Sequence, residues 1–305
     1  MELDNLPGVL RPVDNAAMRT RFQQLLKSED FIIAPGVYDA FSARIVESLG
    51  FDTVYLGSGN FCASHYGAAD MGILSASEMA TALRRISAAV SVPTIVDVDT
   101  GYGGPFQVAA HMPTIVAAGA AAAQIEDQVL PKRCGHLEGK SLVSTAEMCR
   151  KIEVMRDVTP DDFAIIARTD SVALEGLESA ITRAHSYVDA GADLIFIEAP
   201  TSDEMLERIG EAEIKRPLIA NMVFGGETPL HSGSELQALG FKMAIYAGAA
   251  IQAAGAAVRY SLAALRQSGQ LPDSVSMLTL GERTKLVQQE RWNALQDLTN
   301  RSLEE

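Results

Sequence analysis

The 305-residue chain reads as a (β/α)8 barrel, a TIM barrel of the α/β class, and three observations lead there. Eight short apolar runs recur, at 31–38, 53–58, 93–99, 121–127, 163–169, 194–199, 217–222 and 243–248. They are nearly continuous rather than alternating, the pattern of strands buried on both faces. Helical patterns stand between them, among them Glu78–Ile86, Phe106–Ala118, Ala146–Val158 and Leu177–Ala190, and alternating strands and helices build a barrel of this kind. The joints carry small residues: Leu49-Gly50-Phe51-Asp52, Ala118-Gly119-Ala120, Ala190-Gly191-Ala192-Asp193 and Leu239-Gly240-Phe241, with glycine where a closing helix needs a left-handed residue. An open doubly wound sheet is the alternative, but no Gly-x-Gly-x-x-Gly turn follows the first strand.

No linker or low-complexity block divides the chain, so residues 1–305 are expected to form one barrel domain, with 270–305, a polar-apolar helical tail containing Trp292, as a C-terminal extension. With 48% hydrophobic and 21% charged residues the composition is that of a soluble globular protein with a large core. A net charge of -14 argues against nucleic acid or an anionic membrane as partner, while a local cationic site can still take a small anion. The first residues, Met1-Glu2-Leu3-Asp4-Asn5-Leu6-Pro7, lack the basic start and apolar run of a secretory leader. The apolar stretch Met243–Val258 is interrupted by Gly248, Gln252 and Gly255 and is too short for a bilayer. Three cysteines without zinc spacing fit a reduced, cytoplasmic setting.

Polar residues gather at the ends of the runs. Asp97 and Asp99 close the third, Glu126 and Asp127 the fourth, Arg168, Thr169 and Asp170 the fifth, Glu198 the sixth and Asn221 the seventh. The C-terminal rim is where barrel enzymes keep their active sites. The Asp97/Asp99 pair suits a hard cation, and the Gly101-Tyr102-Gly103-Gly104 that follows lets a ligand come close. After Glu126 the chain runs through Lys132, Arg133, Cys134, Gly135 and His136. A cysteine among cations is expected to have a lowered thiol pKa and to transfer protons near neutrality. Cys62 and Cys149 read as packing residues, and His65, His111, His185 and His231 as surface or helix residues.

These stretches carry a resemblance. Tyr55-Leu56-Gly57-Ser58-Gly59, Asp70-Met71-Gly72-Ile73, Asp97-Val98-Asp99, Glu126-Asp127-Gln128, Lys132-Arg133-Cys134-Gly135-His136, Arg168-Thr169-Asp170, Glu198-Ala199 and Asn221-Met222 resemble the isocitrate lyase and phosphoenolpyruvate mutase superfamily, over about 36–248. The resemblance implies a Mg2+-dependent enzyme, with Mn2+ as a substitute, in which Asp97 and Asp99 hold the metal directly or through water and Asp70 and Glu126 stand behind them. It implies that Ser58 and Gly59 offer donors to a substrate carboxylate, with Lys132 and Gly135 beside them. Arg168 would pair with a carboxylate or alkoxide, Asn221 would contact the substrate, and Tyr55 would stand by the oxygen that loses a proton. Cys134 on a mobile loop would protonate the departing enolate, His136 would orient Cys134 or bind a carboxylate, and Glu198 would be a catalytic residue, with an interior hydrogen-bond anchor as the alternative. A homotetramer with exchanged C-terminal helices is also implied.

Within the superfamily the cysteine loop resembles the carbon–carbon lyases rather than the phosphorus–carbon mutases. Methylisocitrate lyases carry Ser, His and Arg where this chain has Gly57, Gln124 and Gln252, and a different sequence at Leu137-Glu138-Gly139-Lys140. That loop and Gly226-Glu227-Thr228-Pro229-Leu230-His231 look more like 2,3-dimethylmalate lyase and the oxaloacetate hydrolases. Phe224 replaces a usual Glu, so an apolar substituent on the substrate is expected if Phe224 faces the pocket. The resulting expectation is cleavage of a 2-hydroxy, alkyl-malate-type dicarboxylate to a 2-keto acid and a second acid. The alternatives are oxaloacetate hydrolysis, methylisocitrate cleavage and, further off, phosphonopyruvate chemistry. A non-enzymatic scaffold would have lost some of Asp97, Asp99, Glu126, Cys134 and Arg168, and all are present.

Overall fold

The structure, a computed structural model, describes Leu10 and residues 13–301. The ends of the expected domain, and the N-terminal stretch weighed as a leader, lie outside the described residues. The elements run α1 (Asn15–Lys27), β1 (Ile32–Val37), α2 (Ala40–Ser48), β2 (Val54–Leu56), α3 (Ser58–Tyr66), α4 (Ala76–Ala89), β3 (Thr94–Asp97), α5 (Pro105–Ala117), β4 (Ala120–Glu126), α6 (Thr145–Val158), β5 (Ala164–Thr169), α7 (Val172–Glu175), α8 (Leu177–Asp189), β6 (Leu194–Ile197), α9 (Asp203–Gly210), β7 (Leu218–Asn221), α10 (Gly233–Ala238), β8 (Phe241–Tyr246), α11 (Ala249–Ser268), α12 (Leu280–Leu286) and α13 (Gln289–Arg301). The eight strands close a barrel in chain order, each parallel to the next, with β8 returning to β1. Every expected strand is present, and the joint glycines 50, 119, 191 and 240 have φ of 84°, 108°, 108° and 90°.

Strand parity builds the rest. Residues two apart share a face, and Ile32 with Ala34, Ala164 with Ile166, Leu194 with Phe196, and Met243 with Ile245 fill the barrel interior together with Tyr55, Ile95, Ala122 and Ile219. Carried two residues further, the same parity sends Asp97 inward after Ile95, Arg168 after Ile166, Glu198 after Phe196, and Asn221 after Ile219. Glu126 follows Gln124 and Ala122 in the same way. The register sets Glu126 beside Arg168 and Asp97 beside Gln124. The opposite parity faces the helices and forms the larger apolar layer, in which Val96, Ile165, Ala167 and Ile195 meet Met79, Met112, Ile152 and Tyr187.

Sequence periodicity did not reveal α1. It stoppers the N-terminal end of the barrel, where Phe22 is fully buried in the interior cluster. Three polar side chains seat it. Arg19 pairs with Asp162 at 2.6 Å, Arg21 reaches the Ser91 carbonyl at 2.8 Å, and Gln23 the Asp162 carbonyl at 3.1 Å. Burying a phenylalanine of this kind contributes about 1.5–3 kcal/mol. With one end stoppered, the C-terminal rim is the open end. At the far end of the chain α11 buries only Ser261 of its 20 residues. Val258, Tyr260, Leu262 and Leu265 are exposed on it.

Candidate active site

A cavity of about 250 Å3 opens at the C-terminal rim, lined among others by Tyr55, Gly59, Asp70, Asp97, Lys132, Cys134, Gly135, His136, Arg168, Glu198 and Asn221. Eleven of the fourteen residues singled out from the sequence therefore share one wall. The other three, Ser58, Asp99 and Glu126, are buried directly behind it.

The acidic side is built on β3. Asp99 holds a left-handed φ of 49°, rare outside glycine and a mark of constrained functional backbone. Ser58, the first residue of α3, donates its hydroxyl toward Asp97 at 2.9 Å and Asp99 at 2.6 Å. It thus positions the acids rather than facing the cavity. The start of α3 has no side-chain cap, and helix geometry leaves the Gly59 and Asn60 amides without intrahelical acceptors, ready for a carboxylate. A Cβ on Gly59 would come within 2.8 Å of the Asp70 carboxyl carbon, so only glycine lets that acid approach. Lys132 folds in from the loop after β4, with its Nζ 2.5 Å from Asp70 and 2.8 Å from Asp99. Burial opposes the ammonium, but the surrounding Glu126, Asp99, Asp97 and Asp70 hold its pKa well above the ordinary value. Burial, helped by the charge of Asp97 and opposed by Lys132, pushes Asp99 up to about 6. Both oxygens of Glu126 are buried without a hydrogen-bond partner. Burial raises its pKa well above normal in spite of Arg168 and Lys132.

The cationic side is built on β5. Arg168 makes a two-pronged pair with Asp170, 2.9 Å from each oxygen, and its Nη1 lies 3.3 Å from Glu198 and 3.6 Å from Glu126. The guanidinium stacks 5.3 Å over Phe196. Asn221 donates to Glu198 at 3.1 Å, and the His136 Nε2 is 3.4 Å from the same carboxylate. The backbone N–H of Glu227 donates to His136 Nδ1 at 3.1 Å, which puts the imidazole proton of the neutral ring on Nε2, facing Glu198. Tyr55 donates its hydroxyl to Gln124 at 3.1 Å, and burial raises its pKa far above normal, so it acts as a hydrogen-bond donor.

One expectation is corrected and one open condition is answered. The Cys134 thiol pKa is raised, not lowered: burial is the main cause, and the His136 N–H and Arg168 only partly offset it. The cations adjacent in sequence turn elsewhere, Lys132 into the acids and Arg133 to the Glu138 carbonyl at 3.4 Å. A neutral thiol is the form a proton donor needs. Phe224 does not face the cavity; it is 78% exposed, and its neighbour Val223 takes the wall with Ile245, Ala247 and Gln252. Two residues that the sequence marked only as departures from the methylisocitrate lyases gain a place in the site: Gln124, which links Tyr55 to Asp97, and Lys140, whose ammonium reaches under the loop tip.

The family model described as phosphoenolpyruvate phosphomutase matches residues 22–266. A 2,3-dimethylmalate lyase of Eubacterium barkeri is 43% identical, over 77% of this chain and 81% of the relative. A 2-methylisocitrate lyase of Halalkalibacterium halodurans is 41% identical over 86% of each. The structure of an oxaloacetate acetylhydrolase in complex with the inhibitor 3,3-difluorooxalacetate superposes with a TM-score of 0.88 at 33% identity, covering 95% of this chain and 98% of that one. The chain belongs to the phosphoenolpyruvate mutase/isocitrate lyase superfamily. Within it, the chain is a carbon–carbon lyase. Among the described residues no helix is long and apolar enough to cross a membrane.

Proposed function

We propose that the substrate is a 2-hydroxy dicarboxylate with a small uncharged substituent, cleaved to a 2-keto acid and a second carboxylic acid. The observation that carries this reading is the convergence of a neutral thiol, a buried arginine and a layer of acids on one cavity. The hydroxyl releases its proton to solvent and its oxygen becomes the keto oxygen as the bond between the second and third carbons breaks. The electron pair passes to the departing carboxylate as an enediolate, and the Cys134 thiol delivers a proton to its carbon. The thiolate left behind recovers its proton from solvent. Arg168 and the start of α3 bind carboxylates, Tyr55 and Asn221 contact the oxygens, and His136 and Glu198 orient the thiol and guanidinium.

Apart from Lys132, Arg168 and the imidazole of His136, the described cavity lining carries no basic side chain. At the far wall Gln252 and Val223 offer no charge for a third carboxylate. The alkyl expectation rests on Val223, Ile245 and Ala247 once Phe224 is set aside.

The acids suit Mg2+ or Mn2+ as cofactor, with Asp97 and Asp99 holding it directly or through water and Asp70 and Glu126 behind. Glu126 offers two buried oxygens that no hydrogen bond occupies. Among the described residues no three His, Cys, Asp or Glu side chains form a protein cage. Mg2+ ordinarily keeps several waters and takes one or two carboxylates. When bound, such an ion supplies positive charge where the oxyanion develops.

Hydrolysis of oxaloacetate on the same residues is the second reading, favoured by the closeness in shape to the acetylhydrolase. A single barrel domain with its helical extension, a reduced cytoplasmic setting and a homotetramer complete the proposal. The exposed apolar side of α11 supports the last.

The test is incubation with Mg2+ and 2,3-dimethylmalate, citramalate, 2-methylisocitrate, isocitrate, oxaloacetate or phosphonopyruvate, with products read by NMR. A keto acid released fastest from an alkylated malate is the expected result. Preference for unsubstituted or tricarboxylic substrates would overturn the substituent assignment, and oxalate plus acetate from oxaloacetate would select the hydrolase.

A further inference from the structure

We infer that Lys140 is a latch, a positioning residue that holds the loop carrying Cys134 down over the cavity and couples it to Arg168. The inference rests on the role proposed for Cys134.

The loop between β4 and α6 has a firm base. Val129 N–H donates to the Ser141 carbonyl at 2.8 Å, Val143 N–H to the Asp127 carbonyl at 2.9 Å, and Gln128 pairs with Leu142 as an isolated antiparallel bridge. The Gln128 side chain braces the descending arm, accepting from Arg133 N–H at 2.9 Å and donating to its carbonyl at 2.8 Å. The tip, Cys134–His136, lies beyond these supports.

Lys140 closes the gap. Its side chain is 4% exposed, its Nζ donates to the Gly135 carbonyl, and it stands 3.8 Å from Asp170 Oδ1. The same Oδ1 accepts from Arg168 Nη2 at 2.9 Å. Asp170 is fully buried, so two cations share one desolvated carboxylate, one holding the loop and the other facing the cavity. A Cβ on Gly135 would fall 2.4 Å from Arg168 Nη2 and 2.4 Å from Glu198 Cγ, so the tip rests directly on both. Without the ammonium, the Gly135 carbonyl loses its donor and Asp170 its second cation. The tip then has less reason to stay seated, and Cys134 moves with it. Burial of a lysine this deeply is costly unless its partners need it, and its partners are the loop tip and the site.

Lys140→Met and Lys140→Gln are compared with wild type and with Lys140→Arg, two neutral variants being used in case one fails to fold. Iodoacetamide labelling of Cys134 is followed by peptide mass spectrometry at several pH values, so that the thiolate fraction is factored out, with buried Cys62 as internal reference. The neutral variants should label Cys134 about 10-fold faster through more frequent local opening. They should lose about 100-fold in kcat with little change in KM, as expected for a displaced proton donor. Lys140→Arg should recover most of the protection. Equal labelling in wild type and both neutral variants would overturn the latch. Labelling needs no substrate, so a latch that fails is distinguishable from a substrate reading that fails.

Discussion

Two polar clusters share the C-terminal rim, divided by the wall of the barrel. Asp127 points outward into the helix layer, where Tyr187 donates to it at 2.7 Å, Thr169 at 2.7 Å and the Asp170 amide at 3.0 Å, with Arg183 at 3.4 Å. Glu126, one residue earlier, points inward and has no hydrogen-bond partner on either oxygen. Both are buried carboxylates, Glu126 the last residue of β4 and Asp127 the residue after it. The outer one is satisfied and locks β4, β5 and α8 together. The inner one leaves buried carboxyl oxygens without a hydrogen bond, with Arg168 Nη1 3.6 Å away, a state that costs stability and that a protein retains where a ligand completes it. The comparison separates residues that hold the barrel from residues that use it.

The largest effect should come from breaking the outer cluster. Asp127→Ala removes the acceptor of the Tyr187 and Thr169 hydroxyls and of the Asp170 amide, while Arg183 keeps Glu175 and the Val143 carbonyl, and should cost about 2–4 kcal/mol in denaturant unfolding, while turnover per folded molecule changes little. Glu126→Gln should do the reverse, leaving stability unchanged or raised by about 1 kcal/mol while weakening activity and its metal dependence. If both variants lose stability alike, the division between the clusters is wrong. The smallest effect is the acid limb of stability. Hydrogen bonds from Arg183 and Ser179 hold Glu175 at about 2, against an ordinary 4.5. Ser75 and Tyr66 hold Glu78 at about 2 in the same way. A folded pKa below the unfolded value adds stability that is complete above pH 4.5 and is lost as pH falls through about 2. Both groups are close to solvent, so the slope should be shallow. The Glu175 part should persist in Asp127→Ala, where its pair with Arg183 at 2.8 Å survives. Chemical unfolding between those pH values measures it.

The strands and the rim were legible because burial on two faces leaves continuous apolar runs, and because parity carries each run to a polar end residue pointing inward. Loops have no such period. Val223 and Phe224 are neighbours, yet one lines the cavity and the other is exposed, and nothing in their order tells which. Cations beside Cys134 in sequence implied an acidic thiol, but the loop turns Lys132 toward Asp70 and Asp99, so burial decides the thiol's pKa. Lys140 was hidden in the same way, since its partner Asp170 comes from the end of the neighbouring strand β5 and not from its own loop. The stopper helix α1 was missed because its single fully buried residue, Phe22, makes no periodic stripe.

In the proposed reaction Cys134 is the neutral acid that protonates the departing enediolate. Turnover of the best substrate in D2O, followed by NMR for wild type and Cys134→Ser, tests it most directly. Wild type should place one deuteron on the carbon next to the carboxylate of the released acid. Cys134→Ser should turn over about 10²–10⁴-fold more slowly, with unchanged thermal unfolding. A serine variant that retains wild-type turnover, or a released acid without deuterium, would contradict the account.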